Sequence, residues 1–200
     1  IEGFTQLEVL NCSNNQLTSL DVSANTALTN IWCTSNQLTS LDVSGATSLT
    51  YLNCGANYLT SLDVSNNTAL TFLDCNSMGN NSLTSLDVSN NTALTYLNCE
   101  ANPLGSLDVS SNTALTELNC SNNQLTSLDL SNNTALETFN CSNNELTYLN
   151  MKNGVTDELT TFDATDNSLT CIEVNADDVA YATANWTSVD GEIDAGVSFS

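Results

Sequence analysis

The sequence predicts a mainly β solenoid of about eight 21-residue coils, with few or no regular helices and a C-terminal cap. Three observations predict it. Cysteines recur at 12, 33, 54, 75, 99, 120 and 141, with gaps of 21, 21, 21, 24, 21 and 21 residues. Each gap repeats one motif, LxxLxCxxNxL followed by LxxLxVxxN, and a fixed period of this length marks a repeat architecture. Within the motif apolar residues stand two apart, as in Leu97 and Cys99 or Leu107 and Val109, the spacing of a short strand with one buried face. Two such half-patterns and their turns leave no room for a helix of ordinary length.

Counted by the motif, units begin at Leu7, Leu28, Leu49, Leu70, Leu94, Leu115, Leu136 and Leu159. The eighth carries Ala164 in place of cysteine and runs through Asn167, Leu169, Ile172 and Val174. Two Gly/Asn-rich insertions, NSMGNNS at 76–82 and KNGVTDE at 152–158, are expected to bulge from the coil without breaking register. At ~4.8 Å per coil the rod is on the order of 40 Å long. Residues 1–174 form the predicted solenoid, with its N-terminal cap truncated, so Ile1 reads as the edge of a mature form or an excised piece. Residues 175–200 form the predicted C-terminal cap, with Tyr181, Trp186, Val189, Ile193 and Phe199 plugging the last coil.

One asparagine recurs in all eight units, at Asn15, Asn36, Asn57, Asn81, Asn102, Asn123, Asn144 and Asn167. An inward amide in a turn donates and accepts, so stacked copies are expected to form a ladder that satisfies backbone groups of adjacent coils. These motifs resemble the leucine-rich repeat family, over roughly residues 4 to 174. Within it they are similar to the short, 21-residue, cysteine-ladder class of bacterial surface proteins typified by internalin J and found in many Bacteroidetes. The resemblance implies a right-handed solenoid in a secreted or cell-surface bacterial protein engaged in adhesion or recognition.

Composition narrows the function. Against 23 acids stands Lys152 alone, without arginine or histidine, for a net charge of −22. Nucleic acid and anionic membranes both require clustered Lys and Arg, so neither is an expected partner. Without histidine there is no Ser-His or Cys-His nucleophile and no imidazole zinc site. No apolar run of about 18 residues spans a membrane. No cofactor is expected, and a monomer is.

The column of Cys12, Cys33, Cys54, Cys75, Cys99, Cys120 and Cys141 occupies inward strand positions. Parallel neighbours point their Cβ bonds the same way, against the dihedral a disulfide needs, and a straight ladder does not converge on a metal. Packing is therefore the expected role. Cys171 falls instead in an outward serine column, and the resemblance implies pairing with a cysteine beyond Ser200.

Outward positions fall into two sets. The second half-pattern is monotonous, with an aspartate column of Asp21, Asp42, Asp63, Asp87, Asp108 and Asp129 continued by Asn150 and Glu173. Hydroxyl hydrogen bonds are the expected relief of its self-repulsion, with bound calcium the lesser alternative, because a flat column supplies few of the six or more oxygens calcium takes. The first half-pattern varies. One column reads Val9, Asn30, Tyr51, Phe72, Tyr96, Glu117, Thr138 and Thr161, and the next includes Trp32, Asn53, Asp74 and Asn98. Trp32, Tyr51, Phe72 and Tyr96 form an aromatic stripe over four coils. It reads either as a binding surface for a protein or glycan, using Trp32, Tyr51, Asn53, Phe72, Asp74, Tyr96, Asn98 and Glu117, or as packing that stabilises the sheet. Which half-pattern builds the main sheet stays open, because the two are nearly equivalent. The expected function is a non-catalytic recognition module. A structural stalk is the alternative, and a carbohydrate-active enzyme or its accessory module is a more remote one.

Overall fold

Each coil turns three residues of its first half-pattern into a strand, with an aliphatic or phenylalanine between two outward neighbours. This central residue is buried in every coil but the first, where Leu10 is half-buried. The computed structural model describes residues 1, 3–77 and 80–200. Met78 and Gly79 of the first insertion lie outside them. In chain order the elements are β1 (Val9–Asn11), β2 (Asn30–Trp32), β3 (Tyr51–Asn53), β4 (Phe72–Asp74), β5 (Tyr96–Asn98), β6 (Glu117–Asn119) and β7 (Ser127–Asp129). There follow β8 (Thr138–Asn140), β9 (Tyr148–Met151), β10 (Thr161–Asp163), β11 (Cys171–Val174), α1 (Val179–Asn185) and β12 (Ser198–Phe199). The result is a mainly β, parallel-strand solenoid of about eight coils with one short helix.

The first half-pattern builds the continuous sheet. Eight parallel strands run β1-β2-β3-β4-β5-β6-β8-β10, pairing equivalent positions such as Tyr51 with Phe72 and Phe72 with Tyr96. The second half-pattern yields a four-stranded sheet, β12-β11-β9-β7, only at the C-terminal end. Earlier it makes single bridges, Asp21 to Asp42 and Asp42 to Asp63. Regular pairing starts where the aspartate column ends: Asp129 meets Asn150, whose Nδ2 donates to Asp129 Oδ1 at 3.1 Å. Asn150 then meets Glu173, which Lys152 bridges at 2.7 Å. Like charges directly opposite oppose close pairing, and the change of residue removes that opposition.

Between the two walls lies one apolar core, with Leu28, Leu49, Leu70, Leu94 and Leu115 fully buried beside the strand leucines and cysteines. The turns around it are held by amides. Asn36 Nδ2 donates to the carbonyls of Cys12 and Cys33, each at 3.0 Å, while its Oδ1 accepts from Leu17 N at 3.0 Å. Asn57, Asn102, Asn123 and Asn144 repeat this pattern coil by coil, as Asn102 does with Cys75 O, Cys99 O and Leu83 N. Asn81, displaced by the first insertion, still reaches Cys54 O and Cys75 O and accepts from Leu59 N. Asn167 bonds Cys141 O and Ala164 O and accepts from Leu146 N. Asn15, in the first coil, reaches only its own coil, at Cys12 O and Ser13 O. The residue before seven of these asparagines adopts positive φ, between 51° and 59°, which aims the preceding carbonyls inward.

A second asparagine column fills the last position of the motif LxxLxVxxN, where the repeat pattern alone does not mark the side chain as inward. Asn67, Asn91, Asn112 and Asn133 are fully buried, and each donates to two carbonyls of the preceding coil. Ala46 interrupts the column in the second unit.

The second insertion departs from expectation. It folds inward, because Val155 joins the core and buried Thr156 donates its hydroxyl to Asp178 Oδ2 at 2.9 Å. Gly154, at φ 76°, donates its N–H to Asn175 Oδ1. The segment therefore fastens the solenoid to the chain that leads into α1. In the closing segment Trp186 packs on Phe162 with centroids 4.1 Å apart, and Ile193 is buried with it. Val189 does not plug the coil: it is 93% exposed, on a turn closed by Thr187 and Asp190. Tyr181 also faces outward from α1.

Asn102→Ala is expected to strand two carbonyls and one amide in the interior, at ~1–3 kcal/mol for each group left unpaired. Urea unfolding should show a loss of about 3 kcal/mol or more, against less than about 1 kcal/mol for the exposed Asn15→Ala.

Candidate functional site

The outward side chains of β2 to β5 come together as one feature. Trp32 reaches diagonally to Tyr51, with ring centroids 4.7 Å apart and planes tilted by 35°. Tyr51 and Phe72 stack at 4.0 Å and 6°, and Phe72 and Tyr96 at 4.2 Å and 7°. Parallel strands in identical register place these rings one coil apart, so the ring normals follow the solenoid axis. Each ring covers its neighbour's face, and the edges point away from the sheet. All four side chains are half-buried. Aromatic pairs contribute ~0.5–1.5 kcal/mol each beyond their buried area, so the stripe stiffens the sheet as well as marking its surface.

The polar residues beside the stripe have a local duty. Asn53 Oδ1 accepts from Gly55 N at 3.3 Å and Asn98 Oδ1 from Glu100 N at 3.1 Å, as Asn119 and Asn140 do with Ser121 and Ser142. Each is a side-chain turn that ends its strand, which accounts for Asn and Asp in this column. Trp32 stands in the same column and has no side-chain oxygen with which to make this turn.

Asp74 is the departure. Its Oδ1 accepts from Asn76 N at 3.2 Å and Asn76 Nδ2 at 2.6 Å, and its Oδ2 from Asn53 Nδ2 at 3.4 Å. Asp74 is 9% exposed as a residue, and burial pushes its carboxyl pKa up despite the Asn76 hydrogen bonds that pull it down. Gly55 makes room for the Asn76 amide, since a Cβ there would lie 2.9 Å from its Nδ2. Asn76 and Gly55 were not singled out in the sequence, and only the coil-to-coil alignment of their positions reveals them. Glu117 lies exposed beyond Tyr96, and the carboxylate of nearby Glu100 accepts from Asn119 and Asn122.

The cysteine column lies inside. All eight cysteines are free; six of the seven in the column are buried, and Cys12 at its open end is half-buried. Desolvation drives up the pKa values of the seven thiols in the column, to about 12 for Cys33 and Cys99. They are thiols at neutral pH, and nucleophilic or metal-binding chemistry uses the thiolate. Cys171 is half-buried with its Sγ 3.2 Å from Ser200 Oγ. In the aspartate column Oδ1 of each residue accepts the N–H of the serine two positions on, all at 2.9 Å. Hydrogen bonds from the same serines lower the carboxyl pKa values, the hydroxyl contributing most for five of the six and the backbone N–H for Asp129. Among the described residues no three acidic or thiol groups gather where a metal ion could be held, and no helix is long and apolar enough to cross a membrane.

Two outcomes follow. A thiol reagent such as DTNB should titrate Cys171 and Cys12 in the folded protein and the other six only in denaturant. Asp74→Asn should raise the melting temperature at pH 7, because a carboxyl whose folded pKa exceeds its unfolded value costs stability wherever it is ionised. The gain should shrink as pH falls through that raised pKa and vanish below the unfolded value of about 3.9.

The repeat and its ladders have known counterparts. The model for Leucine Rich repeats (2 copies) matches residues 5–46. The functional domain of InlJ from Listeria monocytogenes, described as including a cysteine ladder, is 43% identical with a TM-score of 0.78, over 86% of this chain and 40% of that one. An internalin, inlF, of the same species is 27% identical with a TM-score of 0.68, over 81% of this chain and 48% of that one. The Leptospira interrogans leucine-rich repeat protein LIC12759 is 23% identical with a TM-score of 0.78, over 96% and 56%. The chain thus spans about half the length of these structures or less. No curated protein matches it. With the ladders and the parallel coils in view, the chain is a leucine-rich repeat protein, similar in its cysteine column to InlJ.

Proposed function

We propose that the protein is a non-catalytic recognition module, displayed at the surface of a bacterium or secreted, that binds a protein partner through the outward face of the eight-stranded sheet. Leucine-rich repeat solenoids are interaction modules in general, and the aromatic stack is the observation that supports this face as the contact. Contiguous, half-exposed aromatics concentrated on one face mark interaction sites. The stacking also favours one of the two ligand classes. Saccharides lie flat on an open ring face, and here Phe72 is covered on both faces by Tyr51 and Tyr96, each of which loses the face turned towards it. Ring edges suit the aliphatic side chains and carbonyl oxygens of a polypeptide, because the edge carries the positive end of the ring quadrupole. A partner would approach a chain of net charge −22, so basic proteins are favoured and association should slow as salt rises. A spacer would have no use for variety confined to one face.

Panning a displayed library of protein domains against the folded chain tests the reading. Selected binders should lose at least about tenfold in affinity to Phe72→Ser, the range of a hot-spot residue. They should be indifferent to Asp63→Asn in the second half-pattern, with circular dichroism confirming that both variants fold. Binders indifferent to Phe72→Ser, or saturable capture of an immobilised glycan, would overturn it.

A further inference from the structure

The monotonous Ser/Asp columns of the second half-pattern are broken in the seventh unit, where Tyr148 replaces the serine, Asn150 the aspartate and Lys152 the next serine. Tyr148 pairs with Ser127 across β9 and β7, and it bounds a notch of 360 Å³. Asp108 and Asp129 line the notch together with Ser110, Ser131 and the backbone over Leu107 and Leu128. The same trough recurs between Asp21 and Asp42 without an aromatic wall.

Three properties define what fits. First, the two carboxylates come from equivalent positions of successive coils and line the same notch. Each has Oδ1 engaged by a serine N–H at 2.9 Å, and both line the notch as charged groups. Second, the chain offers them no counter-charge: its one cation, Lys152, is held by Glu173 at 2.7 Å. Third, Tyr148 is 39% exposed, and among the described residues no other ring packs on it, unlike the stacked rings of the main sheet. A bare divalent ion has no use for the ring and needs six or more oxygens. A neutral sugar would leave both charges uncompensated. An organic cation on an aliphatic stem uses every wall, placing its charge between the carboxylates and its stem or charge against the aromatic ring.

We propose that the Tyr148–Asp108–Asp129 notch is a second binding site, separate from the sheet face, for an alkylammonium or guanidinium group. A lysine or arginine side chain or a free amine supplies that group equally, and the two sources separate in solution.

Protein carrying ¹³C-labelled tyrosine is titrated with Ac-Gly-Lys-Gly-NH2, Ac-Gly-Arg-Gly-NH2, butylamine and methylguanidine. Of the five tyrosines, Tyr148 should shift most, with dissociation constants on the order of 1 mM. Asp129→Asn should weaken binding about tenfold and Asp42→Asn should not change it, since only the former removes a wall of the notch. Tyr148→Ser should weaken it severalfold and Tyr148→Phe should keep it, because the ring face rather than the hydroxyl is used. Tighter binding of the peptides assigns the site to a partner's side chain, and equal binding assigns it to free amines. Equal shifts at Tyr58 and Tyr181, equal loss from Asp42→Asn and Asp129→Asn, or an identical Tyr148 shift with calcium chloride would each overturn the proposal. Because the stack is untouched by these variants, failure here leaves the protein-binding reading of the sheet face standing.

Discussion

The asparagine amide that links one coil to the next is the interaction on which the rest depends. A 21-residue coil is too thin to hide its turns behind a helix, so their peptide groups lie against the core without water. Buried N–H and C=O groups must be paired, and here the partner for each turn is a side chain that donates two ways and accepts once. The arrangement needs the residue before it in the left-handed region. Alanine stands there at Ala56 and Ala101, at an expense of ~1–2 kcal/mol each that the amide bonds outweigh.

With the interior and the turns so constrained, freedom is left only to side chains that point outward. On the second half-pattern that freedom is hardly used until Tyr148. On the first it is used at nearly every coil, and parallel register converts residues 21 or 24 positions apart in sequence into touching rings. The strand-ending role of Asn53 and Asn98 shows how little of the polar flank is free for other work. Asp74 is the one buried carboxylate of the face, and its three donors hold it rather than release it.

The repeat, the strands and the first asparagine column were legible because period and parity state them directly. Other features needed coordinates. The second asparagine column is present in the motif, but no single copy distinguishes a turn asparagine from an inward one. The inward fold of 152–158 depends on Asp178 and Asn175, which lie beyond the repeat, and composition favoured a bulge. Val189 looked like a plug by hydrophobicity alone, yet Trp186 already fills that space. The columns of the aromatic stripe could be written from sequence, but ring orientation could not, and it is orientation that favours a polypeptide over a sugar.

Near-identical coils carry a hazard in folding. A strand such as β3 would find an acceptable hydrogen-bonding mate in almost any other unit, so a chain that skips one whole coil loses little backbone pairing. The Trp32-to-Tyr96 stack counters this, because a Tyr51 strand set beside Glu117 or Thr138 forfeits its ring contacts, and the stack forms only when four particular units are consecutive. Whatever it binds, the aromatic face also serves as an address that tells otherwise interchangeable coils their order.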